Sequence, residues 1–161
     1  MMAAAGARAD DAANASPAAP EIWSASEAAA VCADAPQRVM VTVTNIKKHK
    51  GQIVVDLHDD KPENFLKKII GRVIVPVDGP EVEFCVPVRG PGVYAIGIYH
   101  DKNANLSFDK NFLGIPKERF GVSNNPNYGK RSPEFAEAAF EVGEDGAEIG
   151  IRLVSAKDIL F

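Results

Sequence analysis

The side chains best suited to chemistry lie in the segment HDKNANLSFD, residues 100–109, which follows a strand-like run. Five of them match alternate positions of a calcium-binding loop pattern: Asp101, Asn103, Asn105, Ser107 and Asp109. Ca²⁺ prefers several oxygen ligands at about 2.3–2.6 Å, and alternate residues of a tightly curled loop can supply them. The sequence therefore predicts a calcium site at this loop, with weak affinity.

Two positions depart from that calcium-loop pattern. Leu106 stands where a glycine makes the sharp turn, and Phe112 stands where a bidentate glutamate closes the coordination shell. Glu118 or Asn111 could replace the missing ligand. The alternative interpretation is a polar turn in which Asp and Asn side chains cap their own backbone. Calcium is the one cofactor that the sequence predicts.

Two histidines indicate a second kind of site. His58 is followed by Asp59, and His100 by Asp101, each at the end of a predicted strand. A site of His and carboxylate groups would suit zinc or a hydrolase, but H-E-x-x-H, paired C-x-x-C and G-x-S-x-G motifs are absent. The sequence therefore assigns no catalytic residue. We expect a binding or structural module, with a hydrolase that uses a His/Asp site as the alternative.

A second polar segment, FGVSNNPNY, spans residues 120–128. Its hydroxyl and amide groups could bind a glycan, with Tyr128 stacking on a sugar ring. Asn-Asn-Pro is also a turn whose amides often bind the backbone, which is the alternative. The predicted binding surface joins this segment to the histidines and consists of His58, His100, Ser123, Asn124, Asn125 and Tyr128.

Composition limits the possible partners. The chain of 161 residues has the size of one domain. Its 18 basic and 22 acidic residues give a net charge of -4, and no segment concentrates the basic ones, so nucleic acid is not an expected partner. No apolar run reaches the roughly 20 residues of a membrane span. The expected partner is an unknown protein or a glycan at the cell surface.

The chain divides into three parts by composition. Residues 1–37 are rich in Ala and Pro and are expected to form a disordered tail with a short helical turn at 26–31. Charged residues interrupt any apolar run there, so no signal peptide is visible. Residues 38–155 are expected to form a β-sandwich domain, and residues 156–161 a C-terminal extension.

Hydrophobic residues alternate with polar ones from residue 38 onward, between closely spaced turn signals, as is typical of a sandwich or barrel. The alternation predicts these inward residues besides those of the run around Cys85: Val39, Val41, Val43, Ile53, Val55, Leu57, Tyr94, Ile96 and Ile98. The closing runs at 134–142 and 147–154 are also predicted strands. The runs before and after residues 47–51 are predicted to pair as a hairpin. Pro76 and Pro87 predict edge strands or bulges, because proline cannot donate to a ladder. Seven strands, with one short helix near Pro62 and an ordered long loop over residues 101–133, predict an all-β, antiparallel β-sandwich.

The chain contains two cysteines, Cys32 and Cys85. In the run EVEFCVPV, alternation places Val82, Phe84 and Val86 on one face and Cys85 on the other, where core packing does not explain a thiol. A disulfide with Cys32 would fasten the tail across the outside of the sheet and would require an oxidising compartment. Two unrelated thiols are the alternative.

Residues 92–126, GVYAIGIYHDKNANLSFDKNFLGIPKERFGVSNNP, resemble the bacterial domain-of-unknown-function family 2141. The shared elements are a strand end G-x-Y-A-[IV]-x-x-x-H-D, a loop D-x-N-x-N-G-x-x-D, and F-x-G-[IP]-P-x-E-x-[FY]-G-[FV]-S-N-N. The resemblance extends over about residues 38–154. It implies a small exported domain, similar to transthyretin-like or prealbumin-like sandwiches, in the periplasm or outside the cell. It implies no activity, and Leu106 departs from the loop glycine.

Overall fold

The computed structural model describes residues 19–129 and 131–160. The elements run in the order β1 (Glu21–Ser24), α1 (Ala25–Ala33), β2 (Arg38–Thr44), β3 (Gln52–His58), a 3-10 turn (Pro62–Asn64), β4 (Gly71–Pro76), β5 (Val82–Pro87), β6 (Gly92–Asp101), β7 (Phe120–Val122), α2 (Phe135–Ala138), β8 (Phe140–Val142), β9 (Ala147–Arg152) and α3 (Ala156–Leu160). The prediction of a mainly β-structure is confirmed. In this part of the chain, none of the helices has the length and apolarity that a bilayer span requires.

The strands form two sheets that share one core. The large sheet has the order β1-β4-β3-β6-β7, with β8 also pairing with β6, and the small sheet has the order β5-β2-β9. Within the described residues there are thus nine strands rather than seven. The sheets are mixed rather than antiparallel, because β1 runs parallel to β4 and β2 runs parallel to β9.

The predicted hairpin of β2 and β3 is wrong, because the two strands lie in different sheets. The chain leaves the small sheet at Asn45, whose backbone is left-handed with φ 65° and whose amide donates to the carbonyl of Leu153 at 2.8 Å. Strands that face each other across a core show the same alternation as strands that pair side by side. The alternation therefore identified the inward residues and not the pairing.

The core lies between the sheets and consists largely of β-branched residues. The inward positions predicted for β2, β3, β5 and β6 are all buried in it: Val39, Val41, Val43, Ile53, Val55, Leu57, Val82, Phe84, Val86, Tyr94, Ile96 and Ile98. Close packing of such residues on two pleated faces is what stabilises a sandwich. Because side chains alternate along each strand, the residues between these core residues lie on the opposite, outward face of the large sheet. The candidate site lies on that outward face.

The tail was predicted to be disordered apart from a helical turn at 26–31. The structure contains that turn within the longer helix α1 and adds β1, so the prediction of disorder is wrong for the rest of Glu21–Ala33. Ser24 caps α1 by accepting from the N–H of Glu27 at 3.1 Å, and the Glu27 carboxylate accepts from the N–H of Ser24 at 2.8 Å. Ala28 is completely buried in the core. Because the side chain of Ala28 is small, α1 can approach the sheets closely. The helix therefore packs on the core without many large apolar residues of its own. Residues 1–18 of the predicted tail lie outside the described residues.

The proline and helix predictions are confirmed in part. β5, which ends at Pro87, is an edge strand of the small sheet, as expected. β4 is internal instead, because β1 pairs with its open edge, and Pro76 is accommodated as its last residue. The short helix near Pro62 is a single 3-10 turn. Residues 135–138, predicted to begin a strand, form α2.

The predicted disulfide joins Cys32 on α1 to Cys85 on β5, with their Cα atoms 6.5 Å apart. Cys85 faces away from the core residues Phe84 and Val86, as the alternation predicted, and α1 covers it there. Helix α1 also contacts β1 and β4 of the large sheet. The disulfide therefore fastens the small sheet to the element that closes one side of the sandwich.

Removal of the disulfide by the double substitution Cys32→Ala/Cys85→Ala should lower the free energy of unfolding by about 4 kcal/mol, since the crosslink closes a loop across a sequence separation of 53 residues. Denaturant unfolding measures this difference. Wild-type protein treated with a thiol reductant should match the double variant, and the variant should not respond to the reductant. Equal stability of wild type and variant would contradict the prediction.

Candidate functional site

Asp101 organises the start of the long loop. Its side chain is 0% exposed, and its Oδ2 accepts hydrogen bonds from the N–H of Leu106 at 2.8 Å and from the amide of Gln52 at 3.0 Å. Its Oδ1 accepts from the N–H of Asn105 at 3.1 Å. A buried carboxylate is stabilised by such donors, and losing them would leave a buried charge unpaired. Asp101 therefore fixes the loop to β3.

The other predicted calcium ligands gather around Asp109. The amides of Asn103 and Asn105 donate to its carboxylate at 3.1 to 3.3 Å, and the N–H of Ser107 donates to the side chain of Asn105 at 3.0 Å. Glu118 joins the cluster by accepting from the N–H of Asp109 at 3.0 Å. Within the described residues, no three His, Cys, Asp or Glu side chains are arranged to hold a metal. Calcium binding stays a prediction, and the self-capped turn is the arrangement observed.

Two leucines near this loop have left-handed backbones. Leu106, at the glycine position of the calcium pattern, has φ 59°, and Leu66 has φ 61°. This conformation costs a side-chain-bearing residue about 1–3 kcal/mol, and such strain concentrates at binding sites. Leu66 and Leu106 are 45% and 48% exposed, so core packing does not compensate them. Both line the cleft described next.

A cleft of about 880 Å³ lies between the long loop and the outward face of the large sheet. Asp56, Arg72 and Tyr99 form part of its floor, on strands β3, β4 and β6. Arg72 donates two hydrogen bonds to Asp56, at 2.6 and 3.0 Å. Burial raises the pKa of Tyr99 to about 12, so its phenol keeps its proton at neutral pH.

An aromatic wall connects the sheet to the loop. The ring centroids of Tyr99 and Phe108 are 5.3 Å apart, those of Phe108 and Phe120 5.8 Å, and those of Phe120 and Tyr128 5.6 Å. The Tyr128 hydroxyl accepts from the N–H of Val122 at 2.9 Å, which fixes the last ring. All four rings line the cleft, so the cleft has a preformed apolar wall suited to a flat ligand.

Basic side chains dominate the charge of the cleft lining: Lys67, Arg72, Lys110 and Arg131. Among the described residues that line the cleft, Asp56 is the one acidic residue, and it is paired with Arg72. Arg131 is paired with Glu137 at 2.8 Å. Within the part of the chain that the structure describes, Lys67 and Lys110 form no ion pair, and the Lys110 Nζ lies 5.8 Å from the centroid of the Phe108 ring. The cleft is therefore positive in a chain whose net charge is -4.

The structure does not bring the two predicted histidines together. In the β3–β6 register, His58 pairs with Ala95 while His100 pairs with Ile53, so the histidines lie five residues apart along the ladder and on opposite faces of the sheet. His58 is on the cleft side, and its Nδ1 donates to the carbonyl of Lys68 at 2.8 Å. A zinc or catalytic site that uses both histidines does not form.

Burial determines the protonation of both histidines. His58 packs edge-on against Phe65, with ring centroids 5.2 Å apart, and desolvation lowers its pKa below the ordinary value. His100 donates from Nε2 to the carbonyl of Lys50 at 2.7 Å, and within the described residues its buried Nδ1 has no partner. Burial lowers the pKa of His100 as well. Both imidazoles are therefore neutral at pH 7.

The predicted polar surface at 123–125 fastens the loop instead. Ser123 is 0% exposed, its Oγ accepts from the N–H of Ile96 at 3.0 Å, and it donates to the carbonyl of Ala138 at 2.5 Å. The amides of Asn124 and Asn125 bind the main chain after α2 and along β9. A glycan contact at Ser123 is therefore wrong, because the side chain is enclosed. Of the predicted binding surface, His58 and Tyr128 line the cleft.

The sequence analysis did not identify several residues that line the cleft. Of these, Gly97 carried the clearest sequence signal that another group packs against the outward face. A glycine inside a strand marks a place where another group approaches closely. A Cβ atom at Gly97 would lie 2.9 Å from the Cδ2 of Leu66. Arg72 and Asp56 alternate with core residues on their strands, so their outward position was predictable, whereas their pairing across β3 and β4 was not.

Comparison with known proteins identifies a family but no activity. The family described as "Uncharacterized protein conserved in bacteria (DUF2141)" matches residues 41–150, which confirms the resemblance seen in the sequence. No curated protein and no solved structure matches the chain significantly.

The substitution Leu106→Gly should raise the free energy of unfolding by about 0.5–1 kcal/mol, because glycine adopts the left-handed backbone without the penalty borne by leucine. Thermal or denaturant unfolding in EDTA provides the measurement. Leu113→Gly is the matched control, since Leu113 lies in the same loop without left-handed backbone and its replacement should lower stability. A stability loss in Leu106→Gly would contradict the assigned strain.

Repeating the series in Ca²⁺ tests the calcium prediction, because a bound cation raises stability with concentration.

Stability should fall as the pH is lowered from about 7.5 to about 5.5. The folded pKa values of both buried histidines lie below the unfolded value of about 6.5, so the unfolded chain binds protons first and is favoured as the pH falls through this range. Denaturant unfolding across this range should show a shallower decline for His58→Gln and for His100→Gln. The exposed His49 supplies the control His49→Gln, which should leave the decline unchanged. A flat wild-type profile would refute the assignment.

Proposed function

Since the chain belongs to the bacterial DUF2141 family, which assigns no reaction, we propose from the cleft that the protein is an exported binding module for a small ligand with a flat apolar body and an acidic group. One observation carries this proposal: Lys110 lies over Phe108 in the aromatic wall of a cleft that Lys67 also lines, and none of the described lining residues carries an unpaired carboxylate. Aromatic faces contribute contact area, and the lysines contribute complementary charge.

The strained leucines support binding rather than a purely structural role. Leu66 and Leu106 retain exposed apolar side chains on left-handed backbone at the rim of the cleft. Glycine would stabilise either position, so the side chains are kept at a cost in stability. Contact with a ligand is a reason for that cost, because binding sites and stability often conflict.

Export and kinship with transthyretin-like sandwiches are part of the proposal. The disulfide supports an oxidising compartment such as the periplasm or the cell exterior. Two facing sheets around one core support a sandwich of that general kind, and β1, α1 and the parallel pairing of β9 are departures from a simple antiparallel version.

Calcium is also part of the proposal. It would act by tightening the loop around Asp109 and would thereby position Phe108 in the wall.

A hydrolase remains the second candidate because His58 lines the cleft two residues from Asp56 on the same face. With Nδ1 bonded to the carbonyl of Lys68, the Nε2 of His58 is the basic nitrogen. The side chain is only 2% exposed, however, and Asp56 already binds Arg72, so binding is favoured over catalysis. Turnover of a chromogenic ester that His58→Gln abolishes would reverse this preference.

Anilinonaphthalene sulfonate, a flat aromatic anion, should bind the native protein, and the variant Lys67→Gln/Lys110→Gln should bind it roughly threefold to tenfold more weakly because two attractive charges are lost. Fluorescence titration measures both affinities. Lys48→Gln, at an exposed lysine outside the cleft, is the matched control and should bind as the wild type does. An uncharged anilinonaphthalene should bind both forms equally. Unchanged sulfonate affinity in the double variant would overturn the proposal.

A further inference from the structure

The long loop carries an exposed apolar tip formed by Phe112 and Leu113, whose side chains are 96% and 68% exposed. Phe112 is thus almost fully in water, although burial of a phenylalanine is worth more than that of most side chains. Scattered exposed leucines are common on protein surfaces, but two large apolar residues in sequence at a turn are not explained by the fold. The tip is outside the cleft lining.

The turn that presents the tip is built by Asn111. Its Oδ1 accepts from the N–H groups of Leu113 at 2.8 Å and Ile115 at 3.0 Å, and its main-chain N–H and C=O bond to Ile115 and Gly114 at 2.9 Å. Gly114 has the positive φ of 79° that the turn requires. Every bond of this turn holds backbone rather than the apolar side chains. The geometry therefore keeps the tip projecting from the molecule.

Cationic side chains flank the tip. Lys110 and Lys117 are both exposed and stand on the two arms of the turn, which are joined by the bond from the N–H of Lys117 to the carbonyl of Asp109 at 2.8 Å. The neighbouring acidic side chains are already engaged or enclosed. The carboxylate of Asp109 accepts hydrogen bonds from amides of the loop, and Glu118 is buried. An apolar end with lysines behind it matches the order of acyl chains and anionic headgroups in a lipid surface.

We propose that the apolar tip inserts Phe112 and Leu113 into an anionic lipid surface while Lys110 and Lys117 contact its headgroups. Two side chains are far too few for a stable protein interface, which buries at least about 1,000 Å². A lipid surface needs no matching shape, so two apolar residues and two lysines suffice for reversible attachment. Lys110 also lines the cleft, so the test of lipid binding relies on Phe112, Leu113 and Lys117, which are not among the cleft-lining residues.

Cosedimentation with vesicles of phosphatidylglycerol and phosphatidylcholine tests the insertion. The wild type should bind these vesicles, and Phe112→Ser/Leu113→Ser should reduce partitioning about tenfold or more, since two apolar side chains no longer enter the lipid. Lys117→Gln should weaken binding, and added salt should weaken it further. Ile22→Ser, at an exposed apolar residue elsewhere on the surface, is the matched control and should bind as the wild type does.

A second readout locates the tip in the bilayer. Phe112→Trp should show fluorescence that brominated lipids quench, beyond any quenching of the wild type, which contains Trp23. The tip variants should keep the wild-type melting temperature and sulfonate binding, since the replaced side chains are exposed and outside the cleft. The proposal would be overturned if the wild type did not bind anionic vesicles, or if the Ser double variant bound them equally well. It would also be overturned if the Ser substitutions abolished self-association of the protein and left vesicle binding unchanged.

Discussion

Strand β6 is buried on both faces, and the arrangement of the functional surface depends on this double burial. Tyr94, Ile96 and Ile98 face the small sheet, whereas Ala95 and Tyr99 face the other way. A sandwich of two sheets covers only one of these faces, so the second face requires a third layer. The long loop supplies that layer together with Phe65 and α2, which pack over Ala95, and the gap between loop and sheet is the cleft.

The buried carboxylate of Asp101 holds this third layer in place. It stands at the last residue of β6 and accepts from both the loop backbone and Gln52 of β3, so the loop begins at a fixed angle to the sheet. At the other end, Ser123 and its neighbouring amides attach the loop to β6, α2 and β9. Because polar contacts at Asp101 and Ser123 attach the loop, the aromatic residues between these two points need not form a core and instead line the cleft as a wall.

The sequence allowed the layers to be predicted better than their connections. Alternation identified the inward residues of four strands and the outward position of Cys85, because side chains alternate strictly along a strand. It failed for the pairing of β2, since Val41 and Ile53 face the same core from opposite sheets. Composition underestimated α1, of which only a turn at 26–31 was predicted, because Ala28 carries too little apolar surface to signal burial. Local pattern reports which face a residue occupies and leaves long-range pairing open.

The candidate site was harder to predict for the same reason. The calcium-loop residues were found because they are contiguous in sequence, and they are also adjacent in space. Asp56, Arg72 and Tyr99 come from three strands and meet only through the register of the large sheet. The left-handed backbone of Leu66 carries no sequence signal, since leucine rarely adopts it. A site that depends on register and strain therefore becomes visible only in the folded structure, and in this chain both features converge on one cleft.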